Sequence, residues 1–131
     1  PVDTCLSCYF QRFNNSHAYS TKLEILGLYY REYKKLMTHW EKIMPDKIHN
    51  VDYSEMILNQ EKTTREIIEY CGLDWDPACL SFHKNPRPVT TASSWQVRNP
   101  IYKSSLQRWR NYEKHLDPLL KILNSGKDSQ K

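Results

Sequence analysis

Lys47-Ile48-His49-Asn50-Val51-Asp52-Tyr53 alternates polar and apolar residues, with Ile48, Val51 and Tyr53 as the apolar members. This alternation predicts a short β-strand, entered after Pro45-Asp46 and left at Ser54-Glu55, where a turn of helix begins and runs to Leu58. One strand cannot satisfy its own backbone donors and acceptors, so its partners are expected upstream of Pro1, and the chain reads as a fragment. The fold class that follows is α/β: the C-terminal portion of a doubly wound sheet, mostly helical in the part present.

Helices extend to both sides of the strand. Asp3 or Thr4 is expected to cap a first helix through roughly Phe13, ended by Asn14-Asn15-Ser16. Thr21-Lys22-Leu23-Glu24 reads as a capping box. After it Leu26, Tyr29, Tyr30, Tyr33, Leu36, Met37, Trp40, Ile43 and Met44 keep the helical period to Pro45, and such an aromatic stripe is expected to pack into a core. Downstream, Glu61 to Cys71 forms a helix with Ile67, Ile68 and Cys71 inward and Gly72 as its stop. Asp76-Pro77 starts a short helix over Ala78 to Phe82. A loop from His83 to Tyr102, carrying Pro86, Pro88 and Pro100 and the cluster Thr90-Thr91-Ala92-Ser93-Ser94, is too long to be a mere connection. A last helix is expected over Ser105 to Leu116, with Asp117-Pro118 either kinking it or opening a new one over Leu119 to Leu123. Residues 1–126 make one domain portion and 127–131 a polar tail.

The totals narrow the function classes. With 39% hydrophobic and 12% aromatic residues among 131, the chain can build a core, and no apolar run approaches membrane-spanning length. A net charge of +4 is mild, so neither nucleic acid nor a membrane is expected as a partner, whereas a single acidic ligand suits it. Four cysteines without other marks of a disulfide scaffold read as reduced thiols and a cytoplasmic setting; Cys5 and Cys8 lack the second close pair that a zinc site needs. His17, His39, His49, His83 and His115 are scattered without acidic partners at ligand or triad spacing and read as structural or exposed.

Charge concentrates between Trp95 and His115, where Arg98, Lys103, Arg108, Arg110 and Lys114 face only Glu113. A cationic loop running into a helix N-terminus, with hydroxyl caps at Ser104 or Ser105, would favour a bound phosphate or sulfate.

Several segments, taken in order, carry a resemblance. They are Leu6-Ser7-Cys8-Tyr9-Phe10-Gln11, Tyr53-Ser54-Glu55, Tyr70-Cys71-Gly72-Leu73, Gln96-Val97-Arg98-Asn99-Pro100-Ile101-Tyr102, and Arg108-Trp109-Arg110 with Tyr112. Together they resemble the C-terminal half of a bacterial sulfotransferase domain, of the branch associated with tetratricopeptide repeats and related to tyrosylprotein sulfotransferases. The resemblance implies a P-loop-like α/β fold, 3′-phosphoadenosine 5′-phosphosulfate (PAPS) as sulfuryl donor and PAP, adenosine 3′,5′-bisphosphate, as product. It implies that Ser7, Arg98, Asn99 and Lys103 meet the 3′-phosphate and that Tyr53 touches the adenine region, against a buried core tyrosine as the alternative for Tyr53. The glycine-rich loop and the catalytic base would lie in the upstream half of the same domain, so no catalytic residue is assigned, and the acceptor, a hydroxyl or amine, stays open.

Two other readings use the same residues. A helical interaction module would present the Tyr29 to Trp40 stripe with the basic segment as an anion-binding rim. A single-strand nucleic-acid binder would use Trp95, Tyr102 and Trp109 but lacks a sheet platform.

Overall fold

The computed structural model describes residues 1–11, 13, 15–91 and 94–125, and the chain divides into two units. The first comprises Pro1–Pro45 with Gln107–Lys131, the second Asp46–Leu106. The expected Asn14 stop, the middle of the Thr/Ser cluster and the polar tail lie outside the described residues.

In the first unit, helix α1 (Val2–Phe10) and helix α2 (Leu23–Ile43) are joined through a 3-10 segment, Asn15–Thr21. The chain returns to this unit through the 3-10 helix Arg108–His115 and helix α5 (Asp117–Asn124). Cys5, Leu6, Leu26, Leu116 and Leu119 form the buried cluster, with Val2, Leu23, Tyr30, Trp109, Tyr112 and Leu123 packed around it. Each fully buried leucine removes enough apolar surface from water to stabilise the fold by about 1.5–3 kcal/mol. Asp117-Pro118 starts a new helix: Pro118 sits in its first turn, and Asp117 adds negative charge at the end that favours it.

The close fit of α2 on α5 depends on Gly27. A Cβ there would lie 3.0 Å from Ile122 Cγ2 and 3.2 Å from Leu119 Cδ1. Burial also pushes the Cys5 thiol up to about 11, because the thiolate would have to form among these apolar side chains.

The second unit holds helix α3 (Tyr53–Leu58), helix α4 (Gln60–Tyr70) and the 3-10 segments Pro77–Lys84, Gln96–Arg98 and Lys103–Ser105. Ile57 and Thr63 are buried here. Asp52 and Asp76 cap their helices, accepting from Ser54 N at 2.7 Å and Ala78 N at 2.8 Å. The Ser54 bond holds the Asp52 carboxyl below its ordinary range. Gly72, at φ +67°, ends α4 as the sequence predicts.

Several expectations are corrected. There is no strand among the described residues: residues 48–52 are irregular, and the Asp52 cap draws Tyr53 into α3. In place of a ladder, the segment is held by α4, with the His49 ring stacked 4.7 Å from Tyr70 and the Tyr70 hydroxyl donating to Asp46 O at 3.1 Å. The capping box does not form, because Thr21 Oγ1 donates backwards to Ala18 O at 2.8 Å and Lys22 becomes the cap residue. The helix expected over Ser105 to Leu116 is broken at Gln107, whose φ of 54° is left-handed. α1 ends at Phe10 rather than Phe13, and Cys71 is exposed, not inward.

The aromatic stripe of α2 divides. Leu26 is buried and Tyr30 packs on the core, while Tyr33, Leu36, Trp40 and Ile43 stand 39–55% exposed, beyond the reach of α1 and α5. No described helix is long and apolar enough to cross a membrane.

Gly27→Val should destabilise the chain by about 1–3 kcal/mol in urea unfolding, because a branched side chain must force α2 away from α5. Adding Ile122→Ala should recover part of the loss, which a purely local helix effect would not allow. A second expectation concerns pH. The raised Cys5 pKa means the neutral thiol is the form the folded state favours, so its contribution is full below about pH 9 and is lost as pH rises toward 11. Thermal melts should show a steeper fall across that window for the native chain than for Cys5→Ala.

Candidate functional site

Ser7 sits in the second turn of α1, on the exposed side opposite Cys5 and Leu6, and its hydroxyl has no hydrogen-bond partner among the described residues. Its position within the helix means the surrounding N–H groups are spent on intrahelical bonds, so the hydroxyl acts without a helix N-terminus behind it.

The N-terminus that the basic segment was expected to offer an anion is filled from within the protein. Asp3 does not cap α1; its Oδ1 accepts from Trp109 N at 2.8 Å, at the start of Arg108–His115. A carboxylate thus already occupies the place predicted for phosphate. Ser105 caps nothing either, since its Oγ donates to Tyr102 O at 3.4 Å. The arginines beside Trp109 are used for packing: Arg108 lies 5.5 Å over the Phe10 ring and Arg110 5.1 Å over Trp109, with Arg110 Nε donating to Gln107 Oε1 at 2.8 Å.

In the second unit Arg98 is held differently. One terminal nitrogen donates to Asn85 O and the other to Arg87 O, the latter at 2.6 Å. Asn85 Oδ1 accepts from Arg87 N at 2.9 Å, so the Asn85-Pro86-Arg87 turn is tied by its own side chain and then by the guanidinium. Pro86 and Pro88 have no N–H to form a helical or sheet ladder, which leaves those carbonyls open to a side-chain donor. No carboxylate pairs with Arg98 among the described residues. The fork is therefore oriented without being neutralised, and Nε and two further N–H groups remain unspent.

Asn99 donates through Nδ2 to Trp95 O at 3.0 Å, closing the turn that carries Arg98. Lys103 opens the 3-10 segment Lys103–Ser105 with its ammonium exposed and unpaired among the described residues. Tyr53 is 60% exposed at the first turn of α3. The structure places Tyr53, Arg98, Asn99 and Lys103 in the second unit and Ser7 in the first. Sequence reasoning did not anticipate Asn85 and Arg87 as Arg98 partners; the Asn-Pro-Arg-Pro run was the available sign of a tied turn.

Four of the five histidines stand against rings: His17 beside Phe13 and Tyr19, His39 beside Trp40, His49 on Tyr70 and His83 beside Phe82. All four cysteines are free, and no group of three or more acidic, histidine or cysteine side chains among the described residues is gathered to hold a metal ion.

Within the second unit, an oriented arginine with no carboxylate partner among the described residues and an exposed lysine carry positive charge. The sulfotransferase family matches residues 1–77, more than half of the chain. A protein of Aquifex aeolicus (strain VF5), described as uncharacterized, is 38% identical over 128 residues, covering 95% of this chain and 17% of its own length. The chain thus spans less than a fifth of that relative. No solved structure matches. The chain belongs to the sulfotransferase family.

Asp3→Ala should leave the first N–H groups of Arg108–His115 without their carboxylate and lower stability by about 0.5–2 kcal/mol. Chemical denaturation would measure it, and Asp3→Asn, which keeps an acceptor oxygen, should lose less.

Proposed function

We propose that this chain supplies the 3′-phosphate-binding elements of a sulfotransferase, part of a P-loop-like doubly wound domain whose glycine-rich loop and catalytic base lie elsewhere in a longer polypeptide. The observation that carries the reading is Arg98: fixed by two carbonyls and paired with no carboxylate among the described residues, it presents a preoriented positive fork. A phosphate can meet such a fork through two oxygens at once, while Lys103 adds charge without fixed geometry. Ser7 donates a hydroxyl hydrogen bond, and Asn99 holds the turn that carries the guanidinium. Tyr53 offers an exposed ring face to a base.

The donor, PAPS, supplies a sulfuryl group that passes to an acceptor hydroxyl or amine and leaves PAP. None of the residues named here takes or gives the proton in that transfer. Their work is binding and orientation, and family membership together with the unneutralised Arg98 supports the reading.

Calorimetric titration with PAP tests it. The chain should bind PAP with an affinity that falls as salt rises, and Arg98→Ala should weaken binding about tenfold, the loss expected for a charge-assisted hydrogen bond. Arg98→Lys should not restore it, because an ammonium cannot span two carbonyls and still present a planar fork. Absence of heat, or equal affinity in Arg98→Ala, would overturn the assignment.

A further inference from the structure

The C-terminal end of α4 opens onto a groove of about 420 Å³ lined by Arg65, Ile68, Glu69, Leu73, Asp74 and Trp75, together with Gly72. The sequence dictates how it forms. Gly72 takes the left-handed conformation, so that Gly72 N donates to Glu69 O at 2.9 Å and Leu73 N to Ile68 O at 3.1 Å. These two bonds turn the chain back sharply and bring Leu73 toward Ile68. In most such helix ends the apolar residue after the glycine is covered, yet here Leu73 stands 63% exposed.

Trp75 closes one side. The Arg65 guanidinium lies 4.0 Å from its ring centroid, and Arg65 Nε and one terminal nitrogen both donate to Glu61 Oε1, at 2.9 and 2.7 Å. The arginine is thereby fixed against the ring and its charge balanced by Glu61. Glu69 and Asp74 have no such balance, since neither carboxylate has a hydrogen-bond or ion-pair partner among the described residues.

The helix itself adds to this negative potential. The last turn of α4 carries no basic residue, although the partial negative charge of a helix C-terminus favours one. Glu69 stands there instead. On a chain of net charge +4, an apolar and aromatic floor rimmed by two free carboxylates at a helix C-terminus is complementary to a cation carried on an apolar stem.

We propose that this groove binds a basic peptide segment, in which a lysine or arginine side chain lays its methylenes along Ile68, Leu73 and Trp75 and sets its charge between Glu69 and Asp74. A cationic side chain with an apolar neighbour fits a recess of this size, and the ligand would supply the positive charge that the helix end lacks. The proposal rests on residues other than those assigned to phosphate, so its failure and theirs are separable.

The test uses the full 131-residue chain labelled with ¹⁵N and two capped hexapeptides, Gly-Leu-Lys-Lys-Leu-Gly and Gly-Leu-Glu-Glu-Leu-Gly. The lysine peptide should shift the Gly72 amide and the Trp75 indole N–H in a saturable way, and the glutamate peptide should bind at least tenfold more weakly. Glu69→Gln combined with Asp74→Asn, both at exposed positions, should weaken the lysine peptide at least tenfold while leaving the rest of the spectrum in place. Equal binding of the two peptides, unchanged affinity in the double variant, shifts confined to other parts of the chain, or no shifts at all would each overturn it.

Discussion

The approach of α2 to α5 at Gly27 holds together two stretches from opposite ends of the chain. The first unit is discontinuous, and the residues between its two stretches make up the second. Closing so long an intervening segment costs conformational entropy that rises only slowly with length, but it must be met by contacts made at the closure itself. Leu119, fully buried beneath Gly27, and Ile122 beside it provide them. The Asp3 bond to Trp109 N and the Arg31 bond to Ser125 Oγ, at 3.1 Å, tie the same two stretches at further points. Glycine matters here for what it omits, since a side chain at residue 27 would hold apart the surfaces whose burial stabilises the closure.

How much of this was legible depends on whether the signal was local. Helix ends written in one or two residues were legible: Gly72 as a stop and Asp76-Pro77 as a start, while Asp117-Pro118, open between a kink and a new helix, begins a new one. Each involves a side chain and backbone groups within a turn of one another. The alternation over Lys47 to Tyr53 holds only from Val51 to Tyr53, since His49 and Asn50 are both polar and put Ile48 out of phase. A strand is moreover a relation between two segments, and period-two spacing states only which face each residue would occupy if a neighbour were present. With none among the described residues, local forces decide. Asp52 caps a helix and Tyr70 stacks on His49.

The capping box at Thr21 and the caps predicted at Ser104 or Ser105 failed for a related reason. A hydroxyl can donate to a carbonyl three residues back as readily as it accepts from an N–H ahead, and both Thr21 and Ser105 do so. Asp3 was read as a cap and is one, but for a helix more than a hundred residues later. Residue type announced the capacity; only the fold could name the partner. The same holds for the α2 stripe, whose helical period was evident while the extent of the surface that would meet it was not.

The arginines show why a cluster of cations in sequence does not by itself mark an anion site. Arg65 gives its donors to Glu61 and its flat face to Trp75, and its charge is cancelled where it stands. Arg108 and Arg110 lie over aromatic rings, where guanidinium groups help to pack and solvate the helix. Arg98 is fixed as firmly as Arg65, but by the carbonyls of Asn85 and Arg87. Carbonyl oxygens orient a guanidinium through their dipoles and leave its unit charge in place, whereas a carboxylate removes that charge as it orients. Neutral acceptors on a proline-bounded turn hold the Arg98 guanidinium still without neutralising it. That difference in partner separates Arg98 from Arg65, and its two carbonyl partners separate it from Arg108 and Arg110, which lie over rings; the sequence, in which all are simply basic residues, does not contain it.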